Sequence, residues 1–195
     1  ARAGVLETTF RQETETDLGI ANTKMQNVEK IIDAKEIREI VSKTAEKIKK
    51  DYESQEVIFL VVLNGAFVFA SDLLREYDTP CFTYFIKVSS YDGMQSTNNV
   101  KVVGLPEDLK GKNVVLIEDI VDSGLTMQKL LEILREKEVA NVEICTLFFK
   151  PENFKGNYNI KYIGKNIKHD FIVGYGLDLN NKGRNLSNVY QRKNK

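Results

Sequence analysis

Between residues 33 and 50, Ile37, Ile40, Val41, Thr44, Ala45 and Ile48 recur at intervals of three and four, the spacing of one face of an amphipathic helix. Asp33, three positions ahead of Glu36, supplies the residue types of a capping box at its start. The period then changes. Residues 57–63 are an unbroken β-branched and apolar run, which predicts a strand buried on both faces. That run ends at Asn64-Gly65, and residues 66–75 return to helical composition. Two more strands are predicted at 82–88 and 99–103, with a polar, glycine-containing loop between them. A further buried strand is predicted at 114–117. Met127, Leu130, Leu131 and Leu134 then mark one face of a helix reaching about Lys137. Strand-like runs at 142–149, 162–164 and 171–175 complete the series. Strands alternating with helices predict an α/β fold, a largely parallel central sheet flanked by helices. A small lobe built from the N- and C-terminal segments is expected beside it.

At 195 residues the chain is long enough for one well-buried domain and short for two. Residues 1–24 are polar and precede Met25, so we expect them to be a tag or a disordered tail, with 25–195 forming a single domain. Lys plus Arg equals Asp plus Glu at 28 each, so no global field favours nucleic acid or an anionic membrane as partner. No apolar run approaches the ~20 residues needed to span a bilayer. An anionic small-molecule substrate must then be held by local groups. Cys81 and Cys145 each lie in an apolar, strand-like stretch; they read as buried reduced thiols, compatible with a cytoplasmic location.

Chemistry concentrates after the strand at 114–117. Glu118 and Asp119 are followed by Ile120-Val121 and then by Asp122-Ser123-Gly124-Leu125-Thr126 at the entry to a helix. In an open parallel sheet, ligands bind where strands end and loops pass into helices. Glycine permits close backbone approach, amides at a helix N-terminus attract phosphate, and the Ser123 and Thr126 hydroxyls add donors. Glu118 and Asp119 are acceptors suited to paired ribose hydroxyls or to an oxygen-liking metal ion. The plainer alternative makes the acids a solvated strand end and Asp122 a helix cap.

The order of strand, acid pair, two apolar residues and D-S-G-x-T resembles the phosphoribosyl pyrophosphate motif. Four further segments align with it: Leu63-Asn64-Gly65-Ala66; Ser90-Tyr91 with Gln95-Ser96-Thr97; Lys150; and Phe171 to Asp178 followed by Arg184. From about Met25 to about Tyr190 the chain resembles the hypoxanthine-guanine phosphoribosyltransferase family, with a type I phosphoribosyltransferase core and a hood lobe.

The resemblance implies formation of IMP, and of GMP, with release of pyrophosphate from phosphoribosyl pyrophosphate and a 6-oxopurine. It implies Asp122, Ser90 and Tyr91 as catalytic, the last two on a closing loop. Glu118, Asp119, Asp122, Ser123, Gly124, Leu125 and Thr126 would bind the ribose phosphate, and Asn64, Gly65 and Arg184 the pyrophosphate. Lys150, Phe171, Ile172 and Asp178 would bind the purine, with Lys150 donating to the 6-oxygen and so disfavouring a 6-amino base. Mg²⁺ is the implied cofactor, with Glu118, Asp119 and Asp178 as ligands. A homodimer or homotetramer is implied, as is a non-proline cis peptide at Leu63–Asn64. One departure is visible: many members carry lysine where Asn64 stands. The alternative from another class is a non-catalytic regulator that keeps the fold and senses nucleotides.

Overall fold

The computed structural model describes residues 28–90, 100–168 and 171–192. In chain order these form β1 (Val28–Ile32), α1 (Ala34–Asp51), β2 (Val57–Leu63), α2 (Phe67–Tyr77), β3 (Phe82–Ser90), β4 (Val100–Val103), β5 (Asn113–Val121), α3 (Leu125–Glu136), β6 (Asn141–Phe149), β7 (Tyr162–Asn166), β8 (Ile172–Val173) and β9 (Val189–Arg192). The segment 1–24, the loop residues Tyr91 and Gln95-Ser96-Thr97, and His169 lie outside the described residues.

Six strands form the central sheet in the order β4-β3-β2-β5-β6-β7. Every pairing is parallel except β3 with β4. The unbroken apolar runs have a simple cause: alternate side chains enter two different cores. Phe59, Val61, Val115, Ile117, Cys145 and Leu147 face α1 and α2, whereas Ile58, Leu60, Val62, Val114, Leu116 and Ile144 face α3. Helix α1 buries Ile37, Val41, Thr44, Ala45 and Ile48, the stripe read from the sequence. Asp33 caps it, accepting from the Glu36 amide at 2.8 Å. The Glu36 carboxylate takes Lys165 on β7 as its partner.

A second sheet, β1-β9-β8, is antiparallel and joins the two chain ends into the small lobe. Strands β1 and β9 carry no periodic signal strong enough to read in advance. They exist through pairing with each other, Val28 opposite Arg192 and Ile32 opposite Val189. Two expectations are corrected. The strand expected at 114–117 runs on to Val121, so the acid pair lies inside β5 with Glu118 opposite Thr146. The strand expected at 171–175 is only two residues, because Gly174, Tyr175 and Gly176 all have positive φ (110°, 50° and 98°) and turn the chain.

Among the described residues no helix is long and apolar enough to cross a membrane. Cys145 is fully buried, and burial pushes its thiol pKa well up, while Cys81 is half-buried; neither forms a disulfide.

Candidate active site

Strand order reverses between β2, which leads outward to β3, and β5, which leads the other way to β6. A cleft at the carboxyl ends of adjacent strands follows from that reversal. Asn64-Gly65 leaves β2 through a cis peptide at Leu63–Asn64, as the resemblance implied. Gly65 lies against the carboxylate of Asp119, so closely that a Cβ there would stand 1.7 Å from Asp119 Oδ2. From the other side Gly176 packs on the same turn, its own missing Cβ falling 2.1 Å from the Gly65 carbonyl oxygen. Three chain segments thus meet here, with only the Asp119 carboxylate between Gly65 and β5. Asn64 itself is exposed.

Asp119 is 7% exposed, and its Oδ1 accepts from the Ile120 amide at 2.9 Å. Glu118 Oε1 accepts from the Asp119 amide at 3.2 Å. Burial, and then the neighbouring Asp119 carboxylate, push the Glu118 carboxyl well above its ordinary range. Among the described residues no cationic side chain pairs with either acid. Adjacent hard oxygen donors lacking a countercharge are a fitting seat for a divalent cation. The expected trio of Glu118, Asp119 and Asp178 is not gathered, however: among the described residues no three acidic, cysteine or histidine side chains cluster to hold a metal.

Asp122 is not the N-cap residue of the helix that follows. Helix α3 is entered through Gly124, with φ at 78° and no side-chain cap. Strands β5 and β6 pair in parallel with Val121 opposite Phe149, so the next residues, Asp122 and Lys150, leave the sheet side by side. Lys150 Nζ donates to Asp122 Oδ2 at 3.0 Å, and Asn153 Nδ2 donates to Oδ1 at 2.7 Å. The Lys150 side chain is 10% exposed against 48% for Asp122. A lysine that composition alone would leave in solvent is therefore buried at the mouth of the loop.

The chain after β6 acts as a strap beneath this loop. Lys150 N donates to Val121 O at 3.0 Å, Lys155 N to Ser123 O at 3.0 Å, and the Tyr158 hydroxyl to Gly124 O at 2.7 Å. Three loop carbonyls are thereby occupied on the strap side. Turning carbonyls away from the cleft removes their repulsion for an anion and leaves amides to face it. Phe154 stacks edge-on against both Phe149 and Tyr158, at 5.2 and 5.1 Å between centroids. A Cβ on Gly124 would strike Phe154 and Tyr158 at 2.5 and 2.6 Å, so glycine is needed for fit as well as for its φ. Burial, and then the charge of Glu118, push the Tyr158 hydroxyl up to about 12. Above the loop a cavity of about 190 Å³ is lined by Glu118, Asp122, Ser123, Gly124, Thr126 and Met127 among others. Leu125 and Thr126 are exposed there, and Ser123 Oγ accepts only a long contact, 3.5 Å, from the Leu125 amide.

In the C-terminal segment Phe171 is half exposed and Ile172 is buried. Asp178 Oδ1 pairs with Arg184, and its Oδ2 accepts from the Asn181 amide at 2.7 Å. Arg184 Nη1 also donates to Gly176 O at 2.8 Å, tying it to the turn that covers Gly65. Ser90 ends β3. Asn153 and Tyr158 were not anticipated. The only hint in sequence was a pair of aromatics, Phe154 and Tyr158, in an otherwise polar connection.

Comparison with known proteins agrees with this arrangement. The family model of the phosphoribosyl transferase domain matches residues 27–180. The hypoxanthine-guanine phosphoribosyltransferase of Aquifex aeolicus is 38% identical over 163 residues, covering 82% of this chain and 92% of that protein. The hypoxanthine phosphoribosyltransferase of Salmonella typhimurium is 37% identical over 166 residues, 83% of this chain and 93% of the other. Among solved structures, a hypoxanthine phosphoribosyltransferase from Staphylococcus aureus superposes with a TM-score of 0.79 at 35% identity, covering 85% of this chain and 91% of that one. A hypoxanthine-guanine phosphoribosyltransferase from Bacillus anthracis, with HEPES in its active site, gives 0.79 at 36%, covering 85% and 98%. With the fold, the loop and these likenesses in agreement, the chain belongs to the phosphoribosyltransferase family.

Proposed function

We propose that this enzyme transfers the phosphoribosyl group of phosphoribosyl pyrophosphate to N9 of a 6-oxopurine, hypoxanthine or guanine, releasing pyrophosphate. The observation that carries this reading is the Lys150–Asp122 pair, a buried ammonium 3.0 Å from a carboxylate at the edge of the phosphate loop. On a 6-oxopurine, O6 and N7 are neighbours on one edge. Lys150 donates to O6, and Asp122 accepts the proton of N7 as the N9 lone pair attacks the anomeric carbon. The C–O bond to pyrophosphate breaks on the opposite face. Adenine would turn an amino donor toward the ammonium and be disfavoured.

The amides at the start of α3, with Ser123 and Thr126, hold the 5′-phosphate, and Glu118 and Asp119 orient the ribose hydroxyls. Asn64, Gly65 and Arg184 take the leaving group, whose two phosphate oxygens suit a planar guanidinium. Phe171 covers the purine face, and the backbone at Ile172 and Asp178 reads its far edge. Ser90 and Tyr91 would act catalytically by keeping water from the reacting centre. Glu118 and Asp119 would hold Mg²⁺ at one place and Asp178 at another, and the ion would supply charge neutralisation for the leaving pyrophosphate. The half-exposed Phe67, Phe82, Tyr84 and Phe85 support a homo-oligomer, dimer or tetramer. The buried thiol of Cys145 is compatible with a cytoplasmic location.

Nothing in the site favours a nucleotide-sensing regulator that has lost catalysis, since donors, acids and loop are all present. Pyrophosphate release measured with hypoxanthine, guanine, xanthine and adenine, each with phosphoribosyl pyrophosphate and Mg²⁺, tests the reading. Turnover with hypoxanthine or guanine is expected. No turnover with either, or a preference for adenine, would overturn it.

A further inference from the structure

We propose that Asn153 is a positioning residue for this transfer: it holds one oxygen of the Asp122 carboxylate so that the other faces the purine N7. The inference rests on the proton-accepting role given to Asp122 above.

A carboxylate at the tip of a loop has two torsions to settle before one lone pair points at a substrate. The strap settles the backbone, through Lys150 N on Val121 O and Lys155 N on Ser123 O, both at 3.0 Å. That leaves the rotation of the carboxyl plane. Lys150 holds only Oδ2, on the side its ammonium shares with O6. Asn153 fixes the plane: its amide nitrogen sits 2.7 Å from Oδ1, the oxygen opposite the one Lys150 touches. The amide must present its nitrogen here, since its oxygen would repel the carboxylate. With Oδ1 held by Asn153, Oδ2 is the oxygen set toward N7, beside the Lys150 ammonium.

Asn153 is itself held. Its backbone N–H donates to Lys150 O at 3.2 Å and that of Phe154 to Pro151 O at 3.4 Å, closing a turn whose Pro151 has a fixed φ. The adjacent Phe154 ring is locked between Phe149 and Tyr158. The choice of a neutral amide also has a chemical consequence. A second cation at this position would stabilise the ionised carboxylate further and make it a poorer proton acceptor. An amide orients without that penalty.

The test is a double-mutant cycle built on Asn153→Asp and Asp122→Asn, with Asn153→Ala as a second substitution at the strap. Aspartate keeps the size and turn preference of asparagine but sets a like charge against Asp122, whereas alanine removes the donor without one, so a fall common to both variants marks the lost donor. Turnover of each variant is expected to fall roughly 10- to 100-fold, with KM for phosphoribosyl pyrophosphate within about twofold of the parent. Adding Asn153→Asp or Asn153→Ala to Asp122→Asn is expected to change kcat by less than about twofold, because the group being positioned is gone. Full turnover in a folded Asn153→Asp or Asn153→Ala enzyme would overturn the proposal, as would an undiminished loss in the Asp122→Asn background. An Asp122→Asn enzyme with parental kcat would instead overturn the reading of Asp122, and the role of Asn153 with it.

Discussion

Replacing Gly65 by alanine separates the site from the fold. The new Cβ would lie 1.7 Å from Asp119 Oδ2 and 2.4 Å from its Cγ, against an ordinary contact of 3.4 Å or more. The backbone need not yield, because the obstructing atoms are the end of a side chain; Asp119 swings away instead. Its Oδ1 then leaves the Ile120 amide, a 2.9 Å bond beneath a residue only 7% exposed. Losing that bond costs about 1–3 kcal/mol, which lowers Tm by roughly 2–4 °C per kcal/mol in a chain of this size. The effect on catalysis is larger in proportion. A displaced Asp119 no longer holds the ribose hydroxyls, and a lost charged hydrogen bond of about 1.5–3 kcal/mol reduces kcat/KM for phosphoribosyl pyrophosphate roughly 10- to 150-fold. The assay is pyrophosphate release at saturating hypoxanthine with phosphoribosyl pyrophosphate varied, beside a thermal melt. Gly176→Ala is the contrast: its Cβ would meet the Gly65 carbonyl at 2.1 Å, backbone against backbone, at a φ of 98°. That variant should lose more stability than Gly65→Ala. A folded Gly65→Ala enzyme whose kcat/KM stays within twofold of the parent would refute the placing of Asp119 on the ribose.

Other outcomes follow from the same geometry. Lys150→Ala should blunt the preference for hypoxanthine over adenine, read as the ratio of kcat/KM values; an unaltered ratio means that discrimination lies elsewhere. Tyr158→Phe removes the strap's bond to the Gly124 carbonyl, leaving it only the Gln128 amide, and should raise the dissociation constant of IMP about 3- to 10-fold, measured by calorimetry, while kcat changes less. Chelation with EDTA should stop pyrophosphate release and added Mg²⁺ should restore it; undiminished turnover in EDTA would remove the cation from the scheme. The Tyr162 hydroxyl, then Lys161, hold the Asp51 carboxyl below its ordinary value of 3.8. A lowered folded-state pKa stabilises above the ordinary value and ceases to do so as pH falls through the lowered one. Asp51→Asn should therefore reduce Tm near neutral pH, with the difference from the parent closing in strong acid.

Sequence by itself determined what depends on neighbours along the chain. The stripe from Ile37 to Ile48 specifies α1, since a helix face is a matter of periodic spacing. The run Val57–Leu63 matches β2 end for end, because a short, β-branched apolar run that stops at Asn64-Gly65 suits a strand buried on both faces. The order of acid pair, D-S-G-x-T and helix carried the phosphate chemistry, which is likewise local: glycine, hydroxyls and helix amides lie within a few residues of one another. Tertiary structure decided everything that depends on register between distant strands. Val121 opposite Phe149 sets Lys150 beside Asp122 across a separation of 28 residues, and no pattern within either segment encodes that pairing. The same holds for Asn153, for Tyr158 on Gly124, and for β1 against β9, where each partner is weakly specified alone and gains its hydrogen bonds only once the chain has closed. Burial belongs to this second class too. Lys150 is a surface residue by composition and an interior one by position, and its chemistry follows position.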